Sequence, residues 1–173
     1  MKALTFWKVV TVDQANLLER LIAMLDENTI RYCVIGGQAV NAYVEPLVSL
    51  DLDLVVAVDQ IEQVETLFMQ QFTVKRYPHS INISIADSDL RVQVQTDPRY
   101  ASFVDRSDIK PVLGLHMYVA SVQDVLQGKI WAALDADRRA SKRQKDLADI
   151  ARIIEAYPEL KDKVPAEILS RLL

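Results

Sequence analysis

Apolar and polar residues along the chain follow patterns that predict both helices and strands. From Thr11, apolar residues recur every three to four positions up to Leu25, the spacing of one buried helix face. Two β-rich runs follow at residues 31–36 and 51–58, and the second begins with strict alternation before it becomes continuously apolar. Between them, QAVNAY predicts a short helix. The first third of the chain therefore mixes helices with strands.

The remaining pattern divides into a strand-rich middle and a helical end. Four further β-rich segments predict strands: TVKRY, INISI, LRVQVQ and HMYVAS. Ser121 is suited to cap a helix, and the pattern from there to Leu173 is almost wholly helical. We therefore expect an α+β fold with a small mixed sheet flanked by helices. Residues 1–120 would form an α/β core and residues 121–173 a helical region packed on it as one structural unit.

Composition supports a folded protein and narrows its function. Of the 173 residues, 50% are hydrophobic and 25% are charged, which is enough for a full core. The formal net charge of −4 argues against a general coating of nucleic acid, which requires a basic surface. The single cysteine, Cys33, cannot form an internal disulfide, and no apolar run approaches the roughly 20 residues that span a bilayer. The opening MKALTFWKVV lacks the pattern of a signal peptide, so we expect a cytoplasmic protein without a membrane partner.

The segment richest in chemical information combines two glycines with two aspartates. Gly36-Gly37 ends one predicted strand and leads into a helix, which allows backbone N–H groups to approach an anion such as phosphate. After a spacer of residues 38–50, Asp51 and Asp53 lie on one face of the next predicted strand, about 6–7 Å apart along the backbone. Two such carboxylates repel each other unless a cation lies between them, and Mg²⁺ prefers carboxylate and phosphate oxygens. The pair is therefore predicted to hold a metal-bound triphosphate.

Each of these motifs alone has an ordinary structural explanation. A Gly-Gly pair is usually a turn, and an Asp-x-Asp sequence is usually a solvated strand end. Their order here, namely strand, Gly-Gly, helix and then a strand that starts with Asp-x-Asp, favours the functional interpretation.

This order resembles the signature of the nucleotidyltransferase fold shared by DNA polymerase β and small antibiotic or toxin nucleotidyltransferases. That signature is an hG[GS] turn followed roughly nine to thirteen residues later by Dh[DE]h. More narrowly, the chain resembles the abortive-infection AbiEii-type toxin nucleotidyltransferases, which carry a downstream Lys-Asp-x-x-Asp on a helix. Lys145-Asp146-Leu147-Ala148-Asp149 matches that motif, and the resemblance covers residues 30–155.

The resemblance implies a function and a set of ligands. The fold would be nucleotidyltransferase-like, and the protein would move a nucleotide monophosphate from an NTP to a hydroxyl of RNA, protein or a small molecule. Gly36 and Gly37 would contact the triphosphate, and Asp51 and Asp53 would bind Mg²⁺ or Mn²⁺. It also implies the toxin of a toxin–antitoxin pair, with tRNA or a protein as acceptor and a cognate antitoxin as partner. Residues 48–50 depart from the pattern, because relatives often have Arg or Thr there and this chain has Val-Ser-Leu.

The family's third acid, on a neighbouring strand, has no clear counterpart in this chain. Alignment with the family pattern places Gln93 at the position of this acid. Asp97 lies just beyond the predicted strand, an even number of residues further on, and would therefore face the same side. A glutamine offers a carbonyl oxygen to a metal but can neither act as a general base nor neutralise charge. Three interpretations stay open: catalysis with two acids and a remote base, a contribution from Asp97, or nucleotide binding without turnover.

The C-terminal half adds a concentration of cations. Lys129 lies in a predicted helix, and five of the eight residues from 138 to 145 are basic, Arg139 and Lys145 among them. They form either a solvated helix face or a clamp for triphosphate oxygens or an RNA acceptor. With the resemblance in view, we assign Lys129 and Lys145 to nucleotide binding and Arg139 to a supporting role.

Two further acids follow these cations on the same predicted helix. Asp146 and Asp149 are three positions apart and therefore share one face. They either act as a base and its orienting group or pair with nearby Arg and Lys side chains. The resemblance favours the site role, which makes Asp146 a catalytic candidate and Asp149 its support.

Metal-dependent nucleotidyl transfer is thus the leading hypothesis. The alternative is a catalytically degenerate nucleotide-binding or interaction module on the same fold, which Gln93 favours. A glycosyltransferase is a weaker third hypothesis, because the upstream Gly-Gly pair and the short chain argue against it.

Overall fold

The computed structural model describes residues 2–172 and confirms the expected α+β architecture. One mixed sheet contains seven strands: β1 (Tyr32–Ile35), β2 (Asp51–Val56), β3 (Thr73–Tyr77), β4 (Ser80–Ser84), β5 (Arg91–Gln95), β6 (Asp108–Val112) and β7 (Leu115–Val119). Within the same range lie seven α-helices: α1 (Ala3–Thr11), α2 (Leu17–Glu27), α3 (Gly36–Asn41), α4 (Ile61–Met69), α5 (Val122–Leu134), α6 (Ala140–Ala156) and α7 (Ala166–Leu169). Three short 3₁₀ segments complete the description: Val58–Gln60, Pro98–Arg106 and Pro158–Lys163. None of these helices is long and apolar enough to cross a membrane.

The strand order places the predicted Asp-x-Asp strand at the centre of the sheet. Across the sheet the order is β3-β4-β5-β2-β1-β7-β6. Strand β2 is antiparallel to β1 and parallel to β5, and β1 is parallel to β7. The outer pairs β3–β4, β4–β5 and β6–β7 are antiparallel. Side chains at the start of β2 therefore have neighbours from β1 on one side and β5 on the other.

The four strands β2, β5, β4 and β3 form a part of the sheet with one apolar and one polar face, because their side chains alternate. The apolar face is buried in the core: Leu52, Leu54, Val92, Val94, Ile81 and Ile83. The polar face carries a row of directly paired residues that runs across four strands, from Asp53 through Gln93 and Asn82 to Lys75. Asn82 and Lys75 are exposed. This polar face is the floor of the site described below.

Two C-terminal helices lie opposite this polar face. As predicted, Ser121 caps α5, and its side-chain oxygen accepts the N–H of Asp124 at 3.2 Å. Helix α5 packs against α6, and both helices bury apolar residues, among them Ile130 and Ile150. This packing fixes where the charged side chains of both helices lie relative to the sheet.

Two elements differ from the expectation. Helix α1 was not predicted, because exposed apolar residues such as Phe6 obscure its helical periodicity. Thr11, one of the two candidate caps of the next helix, is instead the last residue of α1. The other candidate, Asp13, is confirmed near the start of α2, where its Oδ1 accepts the N–H of Leu17 at 3.0 Å. Strand β6 was also not predicted. It is an edge strand with Pro111 and mostly exposed residues, so it shows no apolar alternation.

Candidate functional site

A cleft of about 500 Å³ opens over the polar face of the sheet. Strands β2 to β5 provide its floor, and helices α5 and α6 provide the opposite wall. Several residues that the sequence singled out line it together: Gly36, Asp51, Asp53, Gln93, Lys129 and Asp146. The cleft therefore joins residues from five separate elements of the fold.

Both oxygens of the Asp51 carboxylate contact a cation. The Arg91 guanidinium, on the paired position of β5, places Nε 2.8 Å from Asp51 Oδ1. The Lys142 ammonium reaches across from α6 and donates to Asp51 Oδ2 at 3.1 Å. Asp51 and Asp53 share one face of β2, as the alternation predicted, but Asp51 is already neutralised there.

The Asp53 carboxylate has no such partner. Among residues 2–172, none forms an ion pair or side-chain hydrogen bond with it. Burial and then the neighbouring Asp51 raise the pKa of Asp53, although Lys129, Lys142 and Arg138 oppose the shift. A partly buried carboxylate that lies beside a second carboxylate favours a bound cation.

Gly36 adopts a backbone conformation that makes room for Asp53. Its φ of +67° lies in the left-handed region that favours glycine. A Cβ built on Gly36 would lie 2.3 Å from Asp53 Oδ2, because Ile35 is the direct β-sheet partner of Asp53 and the chain turns into α3 at the next residue. The first glycine of the motif is therefore required by contact with the acid.

Gly37 belongs to a second cluster just outside the residues that line the cleft. A Cβ on Gly37 would lie 3.5 Å from Ser49 Oγ and 3.7 Å from Lys145 Nζ. Lys145 Nζ also donates to Ser49 Oγ at 3.4 Å. Trp7 Nε1 and Gln38 Nε2 both donate to the Ser49 carbonyl, at 3.0 and 3.1 Å. These contacts hold the segment where the sequence departs from the family pattern.

The candidates for a third acid lie in different places. Gln93 is paired with Asp53 across the β2–β5 ladder, and it lines the cleft. Asp97 lies outside the cleft lining and begins the 3₁₀ segment Pro98–Arg106, where its Oδ1 accepts the N–H of Arg99 at 2.9 Å. The Arg99 guanidinium also bonds its other oxygen, and these hydrogen bonds hold the pKa of Asp97 below its ordinary value. Asp97 therefore serves as a cap in this structure and does not reach the Asp51–Asp53 pair.

Lys129, Asp146 and Asp149 form a buried ion-pair network, the arrangement that the sequence had left as the alternative to a catalytic role. Lys129 Nζ lies 3.0 Å from Asp146 Oδ1 and 2.6 Å from Asp149 Oδ2. Arg138 pairs with Asp146 at 2.8 Å, and Arg152 pairs with Asp149 at 2.8 Å. Burial lowers the pKa of Lys129, but the two carboxylates outweigh this effect and raise it. Asp146 is thus not a free base here, and the Lys129 ammonium is already neutralised.

The other predicted cations lie at the edge of the site. Arg139 is the N-cap residue of α6 and is exposed, and it forms none of the ion pairs found among the described side chains. Arg143 donates to the backbone carbonyl of Asp135 at 2.8 Å, so it closes the turn before α6. Of the basic run, Lys142 and Arg138 line the cleft itself.

The carboxylates present fit one divalent cation only in part. Residues 2–172 contain no group of three or more His, Cys, Asp and Glu side chains placed to hold a metal. The unpartnered Asp53, with Asp51 beside it, supplies two carboxylates, and the Gln93 carbonyl is a third oxygen donor in the same cleft. Mg²⁺ often takes one or two carboxylates and completes its shell with water and substrate phosphates, so this donor set is adequate when a nucleotide is bound.

Sequence reasoning missed the outer part of the cleft floor. Lys75, Tyr77, Asn82 and Ser84 of β3 and β4 line it, beyond the predicted motif. The signal was present in the alternation of these two strands, whose outward positions are polar. The pattern of each strand alone predicts only an ordinary half-buried strand. The pairing of β4 with β5 is what places the polar side chains of β3 and β4 on the same face as the aspartates.

Comparison with known proteins identifies the fold. No protein-family model and no curated protein sequence matches the chain. Among solved structures, ANT(2'')-Ia in complex with adenylyl-2''-tobramycin matches with a TM-score of 0.64 and 16% identity, over 92% of this chain and 99% of that one. The lincosamide antibiotic adenylyltransferase LnuA, lincomycin-bound, matches with a TM-score of 0.54 and 10% identity, over 79% and 95%. An antigenic nucleotidyltransferase-like protein from Paracoccidioides brasiliensis matches with a TM-score of 0.51 and 19% identity, over 86% and 75%.

These similarities establish a nucleotidyltransferase fold for the chain. The wider of the two resemblances expected from the Gly-Gly and Asp-x-Asp motifs is thereby confirmed at the level of fold. The narrower resemblance, to AbiEii-type toxins, finds no counterpart among these structures.

Proposed function

We propose that this protein is a metal-dependent nucleotidyltransferase that moves a nucleotide monophosphate from an NTP to a hydroxyl acceptor. One observation carries the proposal: the Asp53 carboxylate, partly buried and without a counter-ion among residues 2–172, lies beside Asp51 and against Gly36 in the cleft. The fold supports it, because its neighbours include two antibiotic adenylyltransferases, one of them in complex with an adenylylated antibiotic.

Each group in the cleft would have a defined task in this reaction. Asp51 and Asp53 would hold Mg²⁺ or Mn²⁺, which when bound neutralises charge on the phosphates and orients them. The Gly36 and Gly37 backbone, with Lys145 nearby, would bind the triphosphate. The buried network around Lys129 would keep α5 and α6 in position opposite the sheet.

The transfer step itself balances with these groups. The acceptor hydroxyl oxygen forms a bond to the α-phosphorus, and the bond from that phosphorus to the bridging oxygen of the β-phosphate breaks. Pyrophosphate leaves with the electron pair, and the hydroxyl proton passes to water, because the Gln93 amide cannot accept it. Catalysis would then depend on positioning and charge stabilisation more than on a protein base.

The acceptor would approach over the polar face of β3 to β5. Its outward positions include the cations Lys75 and Arg91, the aromatic Tyr77 and several amides and hydroxyls, but no carboxylate. Such a face suits an acceptor with phosphate or hydrogen-bonding groups better than a polycation. RNA is therefore the acceptor class that we place first, with tRNA as the first member to test, ahead of a protein or a small molecule.

The narrower assignment as a toxin rests on the motif resemblance alone. Lys145-Asp146-x-x-Asp149 matches the AbiEii-type toxins, and we propose a cytoplasmic toxin with a cognate antitoxin as its partner on that basis. Residues 1–120 and 121–173 would act as one structural unit, since α5 and α6 provide one wall of the cleft.

The test is a transfer assay with each labelled NTP, Mg²⁺ or Mn²⁺, total tRNA and a panel of aminoglycosides and lincosamides. We expect label in tRNA, and a loss of at least about 100-fold in Asp51→Asn and Asp53→Asn, because several kcal/mol of charge stabilisation disappear. Asp162→Asn, an exposed acid remote from the cleft, is the matched control. Label transfer that persists in both cleft variants contradicts the proposed site, and label in antibiotics alone contradicts the acceptor.

A non-catalytic nucleotide-binding module is the second candidate, favoured by the pairing of Gln93 with Asp53. It predicts tight NTP binding with no pyrophosphate release for any acceptor. The variant Gln93→Glu separates the two: it adds a carboxylate beside Asp53, so a degenerate protein would gain metal affinity, and turnover would appear only in the variant. For an active enzyme, turnover is measurable before the substitution.

A further inference from the structure

The contacts of Asp51 and Asp53 differ although both side chains lie in one cleft. Asp51 Oδ1 is 2.8 Å from Arg91 Nε, and Asp51 Oδ2 is 3.1 Å from Lys142 Nζ. Asp53 has neither an ion pair nor a side-chain hydrogen bond to any described residue. A divalent cation shared by both aspartates would therefore have to displace a resident cation from one of them.

Lys142 is better suited than Arg91 to be the cation that leaves. Arg91 is the paired neighbour of Asp51 on β5, so the sheet itself keeps the two residues side by side. Lys142 belongs to α6 and reaches Asp51 from the opposite wall through one contact, with a flexible stem and a compact charge. Its ammonium can reorient without any change in the backbone.

A triphosphate bound near the glycines would offer the Lys142 ammonium a different anionic partner. Lys145 follows three residues later on the same helix face and already reaches toward Gly37 and Ser49, with Nζ 3.4 Å from Ser49 Oγ. A triphosphate bound at the Gly36-Gly37 turn would therefore present anionic oxygens to this side of α6. Phosphate oxygens accept hydrogen bonds from a lysine ammonium as readily as Asp51 does.

We propose that Lys142 is a positioning residue that couples nucleotide binding to metal binding. In the free protein the Lys142 ammonium pairs with the Asp51 carboxylate. When a nucleotide binds, the ammonium pairs with the triphosphate instead, and Asp51 becomes available to the divalent cation. The inference rests on the proposed function, since it takes an NTP and a divalent cation as the ligands. Because Lys142 competes for Asp51, the protein should bind the metal weakly when no nucleotide is present. By linkage, the factor by which nucleotide strengthens metal binding equals the factor by which metal strengthens nucleotide binding.

The experiment measures Mn²⁺ affinity by electron paramagnetic resonance of free Mn²⁺, for wild type, Lys142→Met and Lys161→Met. Each protein is titrated alone and with an NTP analogue that has a methylene between the α- and β-phosphorus. Lys161 is exposed and does not line the cleft, so its variant controls for loss of one positive charge. The phosphates of the analogue themselves bind Mn²⁺ and add to the apparent affinity of every variant. The quantity compared between variants is therefore the increase in Mn²⁺ affinity that the analogue causes.

We expect Lys142→Met to bind Mn²⁺ about 3–10-fold more tightly than wild type without nucleotide, because one competing positive charge is gone. The increase of Mn²⁺ affinity caused by the analogue should be smaller by a similar factor, within the usual range of coupling between sites. Lys161→Met should match wild type in both titrations. In an Asp51→Asn background, Lys142→Met should no longer change the Mn²⁺ affinity.

Two results would overturn the inference. One is an unchanged or weaker nucleotide-free affinity for Mn²⁺ in Lys142→Met when circular dichroism shows the fold intact. The other is a gain that persists in the Asp51→Asn background. If the wild type transfers label and either result is found, only the proposed role of Lys142 is wrong. If the wild type neither binds the analogue nor transfers label, the proposed function itself is contradicted.

Discussion

Two pairs of aspartates, one on β2 and one on α6, lie on opposite sides of the cleft and differ in the counter-charges around them. On β2, Asp53 has no counter-ion within residues 2–172, and its pKa is raised. On α6, Asp146 and Asp149 are almost fully buried and share Lys129, with Arg138 and Arg152 at the two ends. The pairs have similar spacing in the sequence, so spacing alone does not distinguish them.

The counter-charges distinguish the two pairs. In the α6 pair each carboxylate lies within ion-pair distance of Lys129 and of one arginine, and these contacts stabilise a specific arrangement of α5 and α6. In the β2 pair, the described residues provide a counter-ion for Asp51 but not for Asp53. A folded protein retains such a destabilising carboxylate where a bound ligand supplies the missing positive charge. An aspartate motif is therefore best judged by the partners that the fold gives it.

The largest effect should come from removing the cation shared by the α6 pair. Lys129→Met leaves two buried carboxylates without it, and we expect a loss of about 3–5 kcal/mol in the free energy of unfolding. Urea denaturation followed by circular dichroism measures this loss. Replacing Asp146 and Asp149 by Asn in the same background should recover part of it, and a Lys129→Met protein as stable as wild type would contradict the network.

Next in size is the contact between Gly36 and Asp53. Gly36→Ala places a Cβ 2.3 Å from Asp53 Oδ2 at a positive φ, so we expect a loss of about 1–3 kcal/mol in stability together with weaker Mn²⁺ binding. Gly37→Ala is the matched control, since its nearest contact would be an ordinary 3.5 Å and its stability should change by less than about 1 kcal/mol. Equal effects at the two glycines would contradict the steric argument.

The β2 pair should behave oppositely to the α6 pair when its charge is removed. Asp53→Asn should raise the free energy of unfolding of the metal-free protein by about 0.5–2 kcal/mol at pH 8, the usual range for a single stabilising substitution. The raised pKa of Asp53 means that its ionisation destabilises the folded state, and this penalty is full above the folded-state pKa.

The pH dependence follows with the same sign. As pH falls through the folded-state pKa of Asp53 toward its ordinary value, the carboxyl takes up a proton and the advantage of Asp53→Asn should disappear. Protons compete with the metal at this group, so Mn²⁺ affinity should fall over the same window. Urea unfolding and Mn²⁺ titration from pH 8 down to 4 test both expectations, and an advantage that grows in acid would contradict the charge argument.

The smallest effect concerns Asp97. Asp97→Ala removes the cap of the 3₁₀ segment and should cost about 1 kcal/mol of stability, measured by urea denaturation. Its Mn²⁺ affinity should change far less than that of Asp53→Asn. An equal loss of Mn²⁺ binding in the two variants would make Asp97 the missing third acid.

The parts of the site that follow from short stretches of sequence were predictable. Gly36-Gly37 and Asp51-x-Asp53 lie at a strand end and a strand start, where local alternation fixes the face of each side chain. Gln93 was singled out by alignment with the family pattern and not by local sequence, and the structure places it beside Asp53 because β2 pairs in parallel with β5.

The parts that depend on contacts between distant segments were not predictable in the same way. Lys142 and Asp51 are separated by 91 positions, and nothing in either segment alone indicates their contact. The same is true of Trp7 and Ser49, where a packing aromatic also holds the segment before β2. Edge strand β6 was not predicted for a different reason: Pro111 and the exposed residues around it give no alternation of apolar and polar positions.

The tight approach of Gly36 to Asp53 restricts position 36 in two independent ways. Any side chain at 36 would meet the Asp53 carboxylate and would also have to adopt a left-handed backbone, so a smaller residue at 53 relieves the clash but not the backbone strain. Mutational libraries that randomise position 36 should therefore return glycine, and asparagine should be the most tolerated alternative when position 53 is varied at the same time.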